Sequence, residues 1–178
     1  MLGGGFLLSL LLLTLLALPA RSAGLPRPLA QAGTPTLGKF QTPAVSPPGY
    51  AAVGETITYT LRYTIPAGTG IEDVLLTDVL PDPSTSVPDV QFVPGSWRGP
   101  FTVTAGTPSV APVTPTISAD QRALTWTLQP ISNTSSISWV YEVVYQAVVN
   151  DASETRDGRI AQNTATLSWA AGSTSAQS

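Results

Sequence analysis

The sequence predicts an all-β protein built as an antiparallel sandwich of about seven or eight strands, and three observations predict it. Residues 55–65 alternate apolar and polar without a break, so Ile57, Tyr59, Leu61, Tyr63 and Ile65 share one face of a half-buried strand. Seventeen prolines and fifteen glycines, among many Thr, Ser and Val, place turn signals at short intervals. No helical period occurs after the first two dozen residues.

The elements follow in order. Phe6 to Leu18 is an almost unbroken apolar run, short for a membrane span and the right size for the core of a signal peptide. The small residues Pro19-Ala20-Arg21-Ser22-Ala23-Gly24 follow it, so 1–23 is assigned as a signal-peptide helix. No Lys or Arg precedes the run, and a retained membrane anchor stays open as the rival reading. Residues 24–35 are a Pro-rich linker. The domain is expected over 36–170, beginning with a short strand in Thr36-Leu37-Gly38-Lys39-Phe40-Gln41-Thr42. After the alternating strand, Pro66-Ala67-Gly68-Thr69-Gly70 is a turn, and Ile71 to Val79 is a single strand closed by Pro81-Asp82-Pro83. Gln91-Phe92-Val93 and Phe101-Thr102-Val103-Thr104 are short strands between Pro-Gly and Gly-Pro turns. Residues 119–122 turn into Ala123–Leu128, where Leu124, Trp126 and Leu128 share a face. Ile137 to Val149 is a long strand, Asp151 to Gly158 a charged turn, and Ile160 to Trp169 the last strand. Residues 171–178 are a small, polar tail or linker.

Composition excludes several functions. Cysteine and histidine are absent, which removes disulfides, thiolate metal sites, the usual serine-hydrolase triad and most zinc sites. Charged residues make up 11% of the chain and the net charge is −3, with no basic stripe for nucleic acid. No cofactor is expected, and an enzyme is a distant third reading.

Side-chain parity singles out two polar residues. Asp78 shares parity with Val74 and Leu76, and Asn163 with Ala165, Leu167 and Trp169, so both point into the core, where each needs a partner. Lys39, the only lysine, has Leu37 alone to mark its face. An amine, a carboxamide and a carboxylic acid meeting in a dry interior are the ingredients of a self-formed amide cross-link. Burial favours the neutral amine and the neutral acid, and folding supplies the proximity.

Four segments, in order, carry a resemblance. Val53-Gly54-Glu55-Thr56-Ile57-Thr58-Tyr59-Thr60, Leu76-Thr77-Asp78-Val79-Leu80-Pro81, Phe92-Val93-Pro94-Gly95-Ser96 and Gln162-Asn163-Thr164-Ala165-Thr166 resemble the motifs of the conserved repeat domain of bacterial surface proteins, long called a domain of unknown function, which is related to isopeptide-forming fimbrial domains. The resemblance spans roughly residues 36–169. It implies an immunoglobulin-like sandwich in an exported, extracellular or cell-surface protein that serves as a structural or adhesive module. It implies neighbouring domains, cell-wall components, or host or surface ligands as partners, and contact with membrane only through an uncleaved leader. In cross-linking members a lysine on the first strand joins an asparagine on the last, helped by an acid; the matching residues are Lys39, Asn163 and Asp78 as helper acid. The same residues also read as an unlinked sandwich. Lysine is scarce where Arg is preferred seven to one, Asp78 suits an Asx-type turn, and Asn163 suits a bond to a neighbouring strand.

Other constellations weigh less. Glu142 is an alternative helper acid or, better, a strand charge facing solvent. Asp151, Glu154 and Asp157 offer oxygens to calcium without the spacing of an EF-hand, so a solvated turn is preferred. Trp97, after a turn, is the candidate for a sugar-binding module, the runner-up function, whereas Trp126 and Trp169 fall on core faces. Asn133-Thr134-Ser135 fits a glycosylation sequon.

Overall fold

The computed structural model describes residues 33–42, 51–81, 90–151 and 162–178. The expected leader, most of the linker and the charged turn after Asp151 lie outside these residues. Among the described residues no helix is long and apolar enough to cross a membrane.

The described residues form twelve strands: β1 (Thr36–Thr42), β2 (Thr56–Ile65), β3 (Gly70–Ile71), β4 (Leu75–Val79), β5 (Val90–Phe92), β6 (Arg98–Thr102), β7 (Thr116–Ile117), β8 (Ala123–Thr127), β9 (Ile131–Ser132), β10 (Trp139–Val149), β11 (Thr164–Trp169) and β12 (Gly172–Gln177). Two of them, β3 and β9, pair only with each other, which leaves a sandwich of two antiparallel sheets, each of five strands. The first sheet runs β1-β2-β10-β5 with β6 also on β10, the second β12-β11-β4-β8-β7, and β3 pairs with β9 apart from both. The long strands form where alternation is cleanest. All five odd-numbered residues of β2 from Ile57 to Ile65 are buried, and so are Tyr141, Val143, Tyr145, Ala147 and Val149 on β10. These two strands lie side by side with Tyr59 opposite Tyr145 and Tyr63 opposite Tyr141. Each pair stacks, at 5.3 and 5.2 Å between ring centroids. Leu76, Leu124, Trp126, Ala165 and Leu167 from the second sheet complete one core with them.

The structure corrects the expected order of strands in two places. The strand expected over Ile71–Val79 is broken, because Asp73 takes a positive φ of 54° and turns the chain between β3 and β4. That bend lets the chain leave its pairing with β9 and enter the second sheet between β11 and β8. The expected tail, 171–178, instead contains β12, which folds back on β11 with Thr166 opposite Ser175. Its small polar side chains lack an apolar face, so periodicity could not mark it. Backbone pairing holds it, with the Ser175 and Thr166 hydroxyls 2.9 Å apart.

Asn133, read as a glycosylation acceptor, is buried at 1% exposure. Its amide nitrogen donates to the carbonyls of Ile65, Pro66 and Ile137 at 2.9, 3.1 and 2.8 Å, clasping the end of β2 to the segment before β10. The sequon asparagine is therefore an internal clasp with its nitrogen fully engaged. Asn133→Ala strands these acceptors and is expected to lower unfolding free energy by about 3 kcal/mol in urea denaturation. The folded protein is expected to carry no sugar at this position in a glycosylating host.

Candidate functional site

The sandwich topology brings the three polar residues singled out by parity and resemblance into one interior. Lys39 sits in the middle of β1, on the inner face with Leu37, in register with Leu61 of β2. Asp78 is on β4, flanked by outward-facing Thr77 and Val79. Asn163 immediately precedes β11, where Ala165 pairs with Asp78. Asn163 is thus a diagonal neighbour of Asp78 on the same inner face of the second sheet. Lys39 reaches them from the opposite sheet. All three residues are buried.

Lys39 Nζ donates to both Asp78 oxygens at 2.5 Å, and both side chains are fully withdrawn from solvent. The ammonium also lies 4.9 Å from the centroid of the Tyr59 ring, whose face attracts a cation. The Tyr145 hydroxyl donates to Asp78 Oδ2 at 2.7 Å and accepts from the Asn163 amide nitrogen at 3.1 Å. An uninterrupted buried chain of hydrogen bonds therefore runs Lys39–Asp78–Tyr145–Asn163. Asn163 Oδ1 is buried with no hydrogen-bond partner, a carbonyl oxygen open to a donor.

Burial dominates the electrostatics. It lowers the Lys39 ammonium to about 8 from its ordinary 10.5, against the opposing pull of the Asp78 charge and hydrogen bond. It raises the Asp78 carboxyl above its ordinary range despite the Lys39 charge beside it and the hydrogen bonds from Lys39 and Tyr145. The two shifts bring amine and acid towards a shared proton, which the pair holds as ammonium and carboxylate or as neutral amine and acid. Tyr59 is pushed up to about 12, and Tyr145 well above the ordinary phenol range, so both hydroxyls keep their protons.

Two residues of this site, Tyr59 and Tyr145, were not singled out from the sequence. They lie on core faces among apolar neighbours and count there as packing residues. The available signal was the hydroxyl itself, since a buried phenol needs a partner.

Other candidates separate from the site. Glu142 lies on the outer face of its sheet opposite Arg62, paired with it at 2.5 Å, and has no contact with Lys39 or Asn163. No group of three or more Asp or Glu able to hold a metal lies among the described residues; Glu154 and Asp157 fall outside them. Trp126 is fully buried, and Trp97 is half-buried against the core. Trp169, expected in the core, is half-buried and lines a shallow cleft of about 360 Å³ with Glu72 and Pro130; no lining side chain there is a buried polar group.

No family model matches the chain, and neither does any curated protein. Solved structures do. A 35 kDa C-terminal fragment of the major pilin of Streptococcus agalactiae superposes with a TM-score of 0.54 at 14% identity, over 82% of this chain and 54% of that one. The major pilin subunit of Bacillus cereus gives 0.52 at 14% identity, over 80% of this chain and 38% of that one. The pilus backbone protein of Streptococcus pneumoniae gives 0.51 at 15% identity, over 77% and 31%. The chain spans about a third to a half of the lengths of these pilins. At such identities the likeness is one of fold: the chain has the all-β, two-sheet architecture found in domains of these pilins.

Proposed function

We propose that this chain is a structural or adhesive module of an exported bacterial cell-surface or fimbrial protein, stabilised by an amide bond that it forms itself between Lys39 and Asn163. The observation that carries the reading is the buried chain Lys39–Asp78–Tyr145–Asn163, which joins β1 of one sheet to the residue that leads into β11 of the other. Its likeness in fold to pilus backbone and major pilin proteins supports the setting. Neighbouring domains or subunits of the same surface assembly are its partners.

Within the site, Asp78 accepts a proton from Lys39, leaving a neutral amine able to attack the Asn163 side-chain carbonyl. The protonated acid then serves the carbonyl oxygen, which has no other donor. Ammonia leaves, and the reaction happens once per molecule, as maturation without turnover. The intact mass of the folded, mature chain is expected to be one ammonia below that of its sequence. A full mass in folded protein would refute the cross-link.

The rate of linkage is expected to be bell-shaped in pH. Above about 8 the pair loses its shared proton to solvent, and Asp78 remains a carboxylate with nothing to donate. On the acid side Asp78, with its raised affinity, takes a proton while Lys39 stays an ammonium, and the nucleophile is gone. Mass spectra of newly synthesised chain, followed with time across a buffer series, measure this. A rate that keeps climbing through the ordinary lysine range would contradict the shared-proton scheme.

A further inference from the structure

Among the described residues, Tyr145 is the one side chain that hydrogen-bonds both the acid and the carboxamide. No direct hydrogen bond joins Asp78 to Asn163. The nitrogen that Tyr145 touches, Asn163 Nδ2, is the atom that must leave if Lys39 is acylated. An amide nitrogen leaves poorly as an anion and needs a proton as its bond to carbon breaks. Asp78 holds that proton, but its hydrogen-bonded route to Nδ2 passes through the Tyr145 oxygen.

The ring is held for this task. It stacks on Tyr59 at 5.3 Å and is flanked by Trp126 at 6.1 Å and Phe92 at 6.2 Å. Tyr145 is fully buried on β10, in the sheet opposite Asp78 and Asn163, so its hydroxyl is delivered into the site from the far side of the sandwich. Packing on three sides leaves the hydroxyl little freedom, and a relay over two hydrogen bonds of 2.7 and 3.1 Å depends on such fixity.

We infer that Tyr145 is a catalytic residue of the cross-linking reaction, passing a proton from Asp78 to the nitrogen that leaves Asn163 as ammonia; the inference rests on the cross-link proposed above. Asp78 first takes one proton from the Lys39 ammonium. The neutral amine forms the Nζ–Cγ bond to Asn163. As the Cγ–Nδ2 bond breaks, its electron pair goes to nitrogen. Tyr145 gives its hydroxyl proton to Nδ2 and receives the one on Asp78. Asp78 then removes the surplus proton from the acylated Nζ. Tyr145 ends as it began, Asp78 ends protonated, and one amide and one ammonia are the products. No oxidant or second reactant is required.

The test is a time course of intact mass for chain made by cell-free synthesis and quenched in acid. Wild type is expected to lose one ammonia, and Tyr145→Phe, which keeps the ring and its stacking, to lose it at least about a hundredfold more slowly. Equal rates in the two proteins would overturn the role of Tyr145 and leave the cross-link standing. A wild type that never loses ammonia would sink the cross-link and the relay together. Should Tyr145→Phe fail to fold by near-ultraviolet circular dichroism, a ring-fluorinated tyrosine at position 145 supplies the decision. Its more acidic hydroxyl gives up a proton more readily and is expected to raise the plateau rate of the profile, a change that a purely structural role would not produce. A profile identical to that of wild type would overturn the inference.

Discussion

Lys39→Ala is expected to leave the folded chain at its full mass and to lower its unfolding free energy by about 6–8 kcal/mol. The larger part is loop closure. A bond between residues 39 and 163 closes a loop of more than a hundred residues, and by analogy with disulfides this restricts the unfolded chain by about 5 kcal/mol. The remainder comes from Asp78, which keeps its buried place on β4 but loses its ammonium partner. Its raised proton affinity lets it become neutral, so the residual cost is that of an imperfectly bonded polar group, about 1–3 kcal/mol. For a domain of this size the fall in Tm is on the order of 20 °C. Mass spectrometry and thermal melts of the same samples check both halves. A variant that melts with wild type would mean that no covalent tie contributes.

Asp78→Ala is the second large effect, with a different cause. It abolishes linkage and also strands the Lys39 amine in an interior with no solvent exposure, and removing one partner of a buried pair costs about 3–5 kcal/mol. Tyr145 loses its acceptor at the same time. The double replacement Lys39→Met with Asp78→Leu separates the two contributions. It removes both charges and fills the space with apolar atoms, so it is expected to be more stable than Lys39→Ala by about 1–3 kcal/mol and than Asp78→Ala by about 3–5 kcal/mol. It should still fall short of wild type by the loop-closure term, about 5 kcal/mol. Urea denaturation of the four proteins measures this cycle. Equality between the double variant and wild type would show the ion pair to be dispensable and the bond absent. The cycle also bears on why the pair exists: as a structural device alone, a buried Lys–Asp pair is a poor bargain, whereas as a reactive one its cost has a purpose.

The parts of this architecture legible in the sequence were those in which one face of a strand differs from the other. The alternation of β2 placed five buried residues correctly, and the same parity argument placed Asp78 and Asn163 on the inner face before any contact was known. Parity says which way a side chain points but not what lies across the sandwich. The meeting of Lys39 with Asp78 is therefore a property of the pairing of sheets, suggested by the resemblance and not by local pattern. Tyr145 was missed because a core-facing tyrosine between Val143 and Ala147 looks like packing until its hydroxyl is seen between two polar groups. The break at Asp73 was missed because a positive φ at one aspartate leaves no mark on hydrophobic periodicity. Strand β12 was missed because Ser, Thr, Ala and Gln carry no face to read, and Asn133 because a sequon says nothing of burial.

The position of Lys39 has a practical consequence. It is the only lysine in the 178 residues, and its side chain has no solvent exposure. The folded domain therefore offers no side-chain amine to acylating reagents, surface-coupling chemistry or lysine-specific proteases. Any enzyme that joins subunits through a lysine would find no acceptor within it.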